Sequence, residues 1–174
     1  EGKYDLIIMG TKGASGIEEV LIGSNAYSVL SKSKVPVLVV PDKSEYNGLN
    51  NILYAVDLTC SEVSAVNELQ GLVDLNKKDL TFLHLSGELE EDLTDDEKKC
   101  FDEIKDKLKD VSYKFEFAKC VNVSDCLEKM IHTLKADLLI VSKKKRDFLE
   151  NLFHASVSKK LACHTDIPLL ALQK

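Results

Sequence analysis

The sequence predicts an α/β fold built on a parallel sheet, and three observations predict it. Continuous apolar runs of strand length alternate with stretches whose apolar residues recur at helical spacing, the pattern of strands covered on both faces by helices. Glycines at Gly10, Gly13 and Gly16 separate the first strand-like run from the first helical stretch. The two ends of the chain also superpose without a gap at a shift of 132 residues, which carries Gly10 onto Ser142.

Taken in order, residues 6–9 (Leu-Ile-Ile-Met) form the first buried-type strand, stopped by Gly10. Glycines there can take positive φ and let an anion approach the backbone, with the next helix aiming free N–H groups at it. Ile17, Val20, Leu21, Val29 and Leu30 share a helical face, and residues 35–40, with Pro36 at the entry, make a second strand. Residues 42–48 are polar and read as a linker. Order resumes with a strand over residues 52–56 that ends at Asp57. Thr59 or Ser61 caps a helix that turns Val63, Val66, Leu69 and Val73 inward. A strand over residues 80–85 and a solvated acidic loop over 88–92 follow. Thr94-x-x-Glu97 is a capping box ahead of a helix with Phe101, Ile104 and Leu108 on one face. Residues 115–121 are strand-like, and Ser124 caps a helix with Leu127, Met130, Ile131 and Leu134 inward. A strand over 138–141, a helical region over 143–164 and a last strand over 167–172 complete the pattern.

The internal repeat organises these elements. The shift of 132 places Asp5 on Asp137, Leu6 on Leu138, Ile8 on Ile140, Lys12 on Lys144, Glu18 on Glu150, Ser24 on Ser156, Pro36 on Pro168 and Leu38 on Leu170. The spacing Gly10-x2-Gly13-x9-Gly23-Ser24 resembles the nucleotide-binding signature of the universal stress protein family. Residues 4–10 and 35–41 resemble that family's fourth and fifth strands. The resemblance implies an open parallel five-stranded sheet of order 3-2-1-4-5, flavodoxin-like and similar to the adenine-nucleotide α-hydrolases, with an extra strand-helix-strand unit beside it. On that reading, residues 1–48 are the carboxyl-terminal part of a first stress-protein domain with its linker. Residues 49–174 are then a complete second domain. The first residues, Glu1-Gly2-Lys3, have no initiator Met, and an engineered or proteolytic boundary is expected there.

In open α/β sheets a ligand lies beyond the carboxyl ends of the strands, where the order of connection reverses. The resemblance implies that a nucleotide needs an acidic residue after strand one and the glycine loop after strand four. For Gly10, Gly13, Gly23 and Ser24 it implies contacts to the triphosphate and ribose of ATP in the complete first domain. The second copy has the strand-one acid, Asp57, but Ser142, Lys145 and Ala155 stand where the loop glycines should be. Only Ser156 of the motif remains, so Asp57 and Ser156 mark a degenerate site. Asp57 has a structural alternative, capping the turn into the next helix. The basic run Lys143 to Arg146 reads as a solvated turn or as a charge-based phosphate contact. Weak or absent ATP binding is expected of this chain, and real binding of a longer one that has the missing strand.

Composition narrows the remaining classes. Across 174 residues, 29 acidic against 23 basic residues leave a formal charge of −6, which argues against a nucleic-acid or anionic-membrane partner. No apolar run approaches the roughly 20 residues that span a bilayer, so a soluble, cytoplasmic protein is expected. Five cysteines without C-x-x-C spacing fit a reducing compartment, with Cys60, Cys100, Cys120, Cys126 and Cys163 acting mostly as small core residues and Cys120 near Cys126 only in sequence. His84, His132, His154 and His164 are scattered, and no metal site is expected. Gly13-Ala14-Ser15-Gly16 is no nucleophile elbow, and no catalytic residue is identified, leaving at most slow ATP hydrolysis. A lone strand-helix-strand cannot bury both sheet faces. The family's fifth strands commonly meet edge to edge, so residues 37–40 are expected to meet residues 169–172, within the chain or across a homodimer. The leading function is a stress-response module binding ATP through the first copy; the alternative is a nucleotide-independent dimerisation or interaction scaffold.

Overall fold

A computed structural model describes residues 4–11, 24–59, 62–86, 93–142 and 166–173. Among these described residues, seven strands and four helices follow in the order β1 (Ile7–Gly10), α1 (Ser24–Lys32), β2 (Val37–Val40), β3 (Asn51–Val56), α2 (Glu62–Leu72), β4 (Asp79–Ser86), α3 (Asp95–Lys107), β5 (Tyr113–Lys119), α4 (Val123–Leu134), β6 (Leu138–Ser142) and β7 (Leu169–Leu172). They form one sheet of order β1-β2-β7-β6-β3-β4-β5. All neighbours run parallel except β2 and β7. Within it, β5-β4-β3-β6-β7 has the expected 3-2-1-4-5 order.

Alternation along the central strands explains why both faces are covered. Ile52, Tyr54 and Val56 of β3 join one apolar cluster with Val66 and Leu69 of α2 and Cys100 and Ile104 of α3. Leu53 and Ala55 join the other, with Leu30 of α1 and Leu127 and Ile131 of α4. Each fully buried aliphatic or aromatic side chain contributes about 1.5–3 kcal/mol, so the sheet is held from two sides.

The seam between β2 and β7 is antiparallel, with Val37 opposite Ala171, Leu38 opposite Leu170 and Val39 opposite Leu169. This is the intrachain form of the expected pairing of residues 37–40 with 169–172. Ile8 pairs with Leu38, and Ile140 pairs with Leu170, so the parallel pairs flanking the seam share a register at the 132-residue offset. A local two-fold therefore passes between Leu38 and Leu170.

Several local expectations are met and some are corrected. Thr94 caps α3 as a capping box: its hydroxyl accepts from the Glu97 N–H at 3.3 Å, and the Glu97 carboxylate accepts from the Thr94 N–H at 2.8 Å. At α4 the cap is Asn122 rather than Ser124. The Asn122 side chain accepts from the Ser124 N–H at 2.9 Å, which leaves Ser124 inside the helix and buried. β5 spans residues 113–119 rather than 115–121, because Val121 already belongs to the turn into α4 and is 84% exposed. Cys120 and Cys126 are not neighbours in sequence alone. They form a disulfide whose Cα atoms lie 6.4 Å apart, since the short turn after β5 brings the first turn of α4 back over the strand end. Cys100 is a buried core thiol as expected. The helical region over 143–164, the acidic loop over 88–92 and the helical positions Ile17, Val20 and Leu21 lie outside the described residues.

Candidate functional site

Two strand ends carry residues singled out from the sequence, and each is built by its neighbours. At the first, β1 stops at Gly10, held in register by β2: the Ile7 N–H donates to Pro36 O at 2.9 Å and the Thr11 N–H to Val40 O at 3.2 Å. Thr11 is buried at the end of this pairing. The helix α1 opens at Ser24. Gly10 and Ser24 thus anchor the two ends of the predicted loop, while Gly13 and Gly23 lie outside the described residues.

The second strand end lies where β3 sits between β4 and β6, the point at which the order of connection reverses. Here β3 runs out at Val56, and Asp57 turns the chain. The Asp57 carboxylate accepts from the Thr59 N–H at 3.3 Å and from the Thr59 hydroxyl at 2.8 Å, the capping alternative raised from sequence. Between them, Leu58 takes φ +47°, a left-handed conformation that costs a bulky residue about 1–2 kcal/mol, and its burial at 1% exposure offsets that strain. The Thr59 carbonyl in turn accepts from the Glu62 N–H at 2.8 Å and from the Cys100 thiol at 2.8 Å, fixing the start of α2 against α3. Ser156 lies outside the described residues.

The fixed start of α2 delivers a carboxylate into the interior. Glu62, with no exposed surface, accepts from the Tyr54 hydroxyl at 2.7 Å and from the Ser142 hydroxyl at 2.5 Å. The three residues come from the middle of β3, the first turn of α2 and the last position of β6. Burial, and then the Glu62 carboxylate beside it, hold the Tyr54 phenol well above its ordinary value. The sequence reading noted Ser142 as a lost glycine but missed Tyr54 and Glu62. A tyrosine inside an otherwise aliphatic strand and a glutamate on the inward face of an apolar helix were the available signals.

A second polar contact lies one strand over. His84 of β4 is buried, with Nδ1 3.3 Å from Val56 O and Nε2 3.8 Å from the Glu97 carboxylate. It packs edge-on to Phe117 of β5. These contacts join β3, β4 and α3 at the same rim as Glu62. Among the described residues, no three His, Cys, Asp or Glu side chains converge as metal ligands. Nor is any described helix long and apolar enough to cross a membrane.

The open, mostly parallel α/β sheet defines the fold class as flavodoxin-like. The sequence pattern of the universal stress protein family matches residues 1–41. Universal stress protein MJ0531 of Methanocaldococcus jannaschii is 53% identical over 38 residues, which are 22% of this chain and 22% of that protein. Universal stress protein MJ0577 of the same organism is 48% identical over 40 residues, 23% of this chain and 25% of that protein. The matched segments thus span about a quarter of these relatives. The crystal structure of a universal stress protein from Archaeoglobus fulgidus superposes with a TM-score of 0.68 at 20% identity. That superposition covers 98% of this chain and 61% of that one, a likeness of fold.

Proposed function

We propose that the chain is part of a tandem universal stress protein, a cytoplasmic stress-response module that binds adenine nucleotide through its first copy. Gly10, Gly13, Gly23 and Ser24 are its phosphate loop, and residues 49–174 are a second copy that scaffolds without binding. The observation that carries this reading is the contrast between the two equivalent strand ends. Gly10 ends β1 without a side chain, whereas Ser142 ends β6 bonded to the buried Glu62 carboxylate. A phosphate approaching Ser142 meets a side chain whose hydroxyl is already committed to the buried Glu62 carboxyl group. The equal register of β1 on β2 and β6 on β7, at one sequence offset, supports the tandem reading.

Fluorescent ATP titrated into this chain is expected to bind weakly or not at all, and into a longer chain carrying the missing strand to saturate. Micromolar saturation of this chain through residues 49–174 overturns the proposal. A nucleotide-independent scaffold is the second reading. The seam between β2 and β7 favours it, because that pairing joins the two strands through their own backbones. Adenine nucleotide carried through purification of the longer protein excludes this second reading, and its absence supports it.

A further inference from the structure

Among the described residues β5 is an edge strand, paired with β4, and the Cys120–Cys126 disulfide lies where that strand turns into α4. We propose that Cys120 and Cys126 are a reversible oxidation site, converted by exchange with a low-molecular-weight disulfide such as glutathione disulfide, and that oxidation fastens the outer edge of the sheet to α4. The proposal is independent of nucleotide binding.

Backbone contacts that do not involve sulfur hold the pair together. The Cys120 N–H donates to Ser86 O at 3.0 Å, extending the ladder of β4 and β5 by one residue. The Cys126 N–H donates to Asn122 O at 3.2 Å, and the Asn122 side chain caps the same turn. With both ends tied, the Cα separation of 6.4 Å lies within the range that a disulfide spans, and reduction leaves the two thiols facing each other. Their exposure is unequal. Cys126 is half-buried in the first turn of α4, whereas Cys120 is 8% exposed, so an external reagent reaches Cys126 more readily. Cys100 is fully buried with its thiol bonded to Thr59 O, so it serves as an internal control.

The exchange balances in two steps. The Cys126 thiolate attacks one sulfur of the small disulfide, forming a mixed disulfide and expelling one small thiolate. The Cys120 thiolate then attacks the Cys126 sulfur, closing the intrachain bond and expelling the second. Two protein thiols are oxidised, one small disulfide is reduced to two thiols, and the two cysteine protons end on those thiols.

Trypsin cutting after Lys119 and Lys129 releases both cysteines in one peptide, residues 120–129. The folded chain is equilibrated in glutathione and glutathione disulfide mixtures, alkylated with N-ethylmaleimide, digested and weighed. The expected result is a shift from the doubly alkylated peptide to one lighter than the free dithiol by two hydrogens, reversed by dithiothreitol. Cys100 is expected to alkylate only after denaturation. Glutathionylation of Cys126 in Cys120→Ser is expected to exceed that of Cys120 in Cys126→Ser by about tenfold. Hydrogen exchange over residues 113–119 is expected to slow on oxidation. A peptide that stays doubly alkylated in every mixture overturns the site. Equal rates in the two variants overturn the order of attack, and unchanged exchange in β5 overturns the fastening. The wild-type peptide mass decides the first point even if a variant fails to fold.

Discussion

Replacing Tyr54 by Phe removes one oxygen from the middle of the sheet and leaves the ring in place. Tyr54 and Glu62 have no exposed surface, so water cannot replace the lost donor without opening the core. A hydrogen bond to a charged acceptor contributes about 1.5–3 kcal/mol, which sets the expected loss at neutral pH. For a chain of this length that corresponds to about 3–12 °C in Tm. The pH dependence gives a second, independent reading. The folded-state pKa of Tyr54 is raised above the ordinary value of 10.0, so folding favours the protonated phenol. This contribution is fully present below about pH 10 and is lost as pH rises toward the folded value, by up to about 1.4 kcal/mol per pH unit. Tyr54→Phe lacks that increment, so the two stability curves converge above pH 10. Urea denaturation followed by circular dichroism from pH 7 to pH 11.5 measures both effects. A loss below about 0.5 kcal/mol at pH 7, or parallel curves above pH 10, refutes the assignment of the Tyr54–Glu62 bond.

Two further substitutions test other parts of the fold. Thr94→Ala removes the side-chain half of the α3 capping box and is expected to cost about 1 kcal/mol by urea denaturation, while a change within error removes the cap from the stabilising contacts. Leu170→Ala, at a position 3% exposed on the seam, is expected to cost about 2–5 kcal/mol; Leu38→Ala, at the half-buried equivalent, is expected to cost less, and equal losses refute the asymmetry.

The strands were legible because a sheet covered on both faces demands continuous apolar residues, and runs such as 52–56 and 138–141 leave no alternative of strand length. The capping box at Thr94 was legible because both partners lie within four residues. Asn122 was harder, since Asn and Ser cap equally well and only the helix start at Val123 decides between them. The Cys120–Cys126 bond was hidden because its formation depends on where β5 ends, a boundary misplaced by two residues. Tyr54, Glu62 and Ser142 escaped for a different reason. Glu62 lies 8 residues from Tyr54 and 80 from Ser142, so no local window contains the three groups. The sequence disclosed only the lost glycine at Ser142, not what its hydroxyl grips.

The antiparallel junction of β2 with β7 has a consequence for any traffic between the two ends of the molecule. Chain direction reverses there, so Gly10 and Ser142 open onto opposite rims of a single sheet. Three strand spacings and four residues of rise put them about 20 Å apart on a diagonal through the seam. An occupant of one rim therefore cannot touch an occupant of the other. Leu38 and Leu170 lie at the midpoint between them, on the axis that relates one rim to the other by rotation.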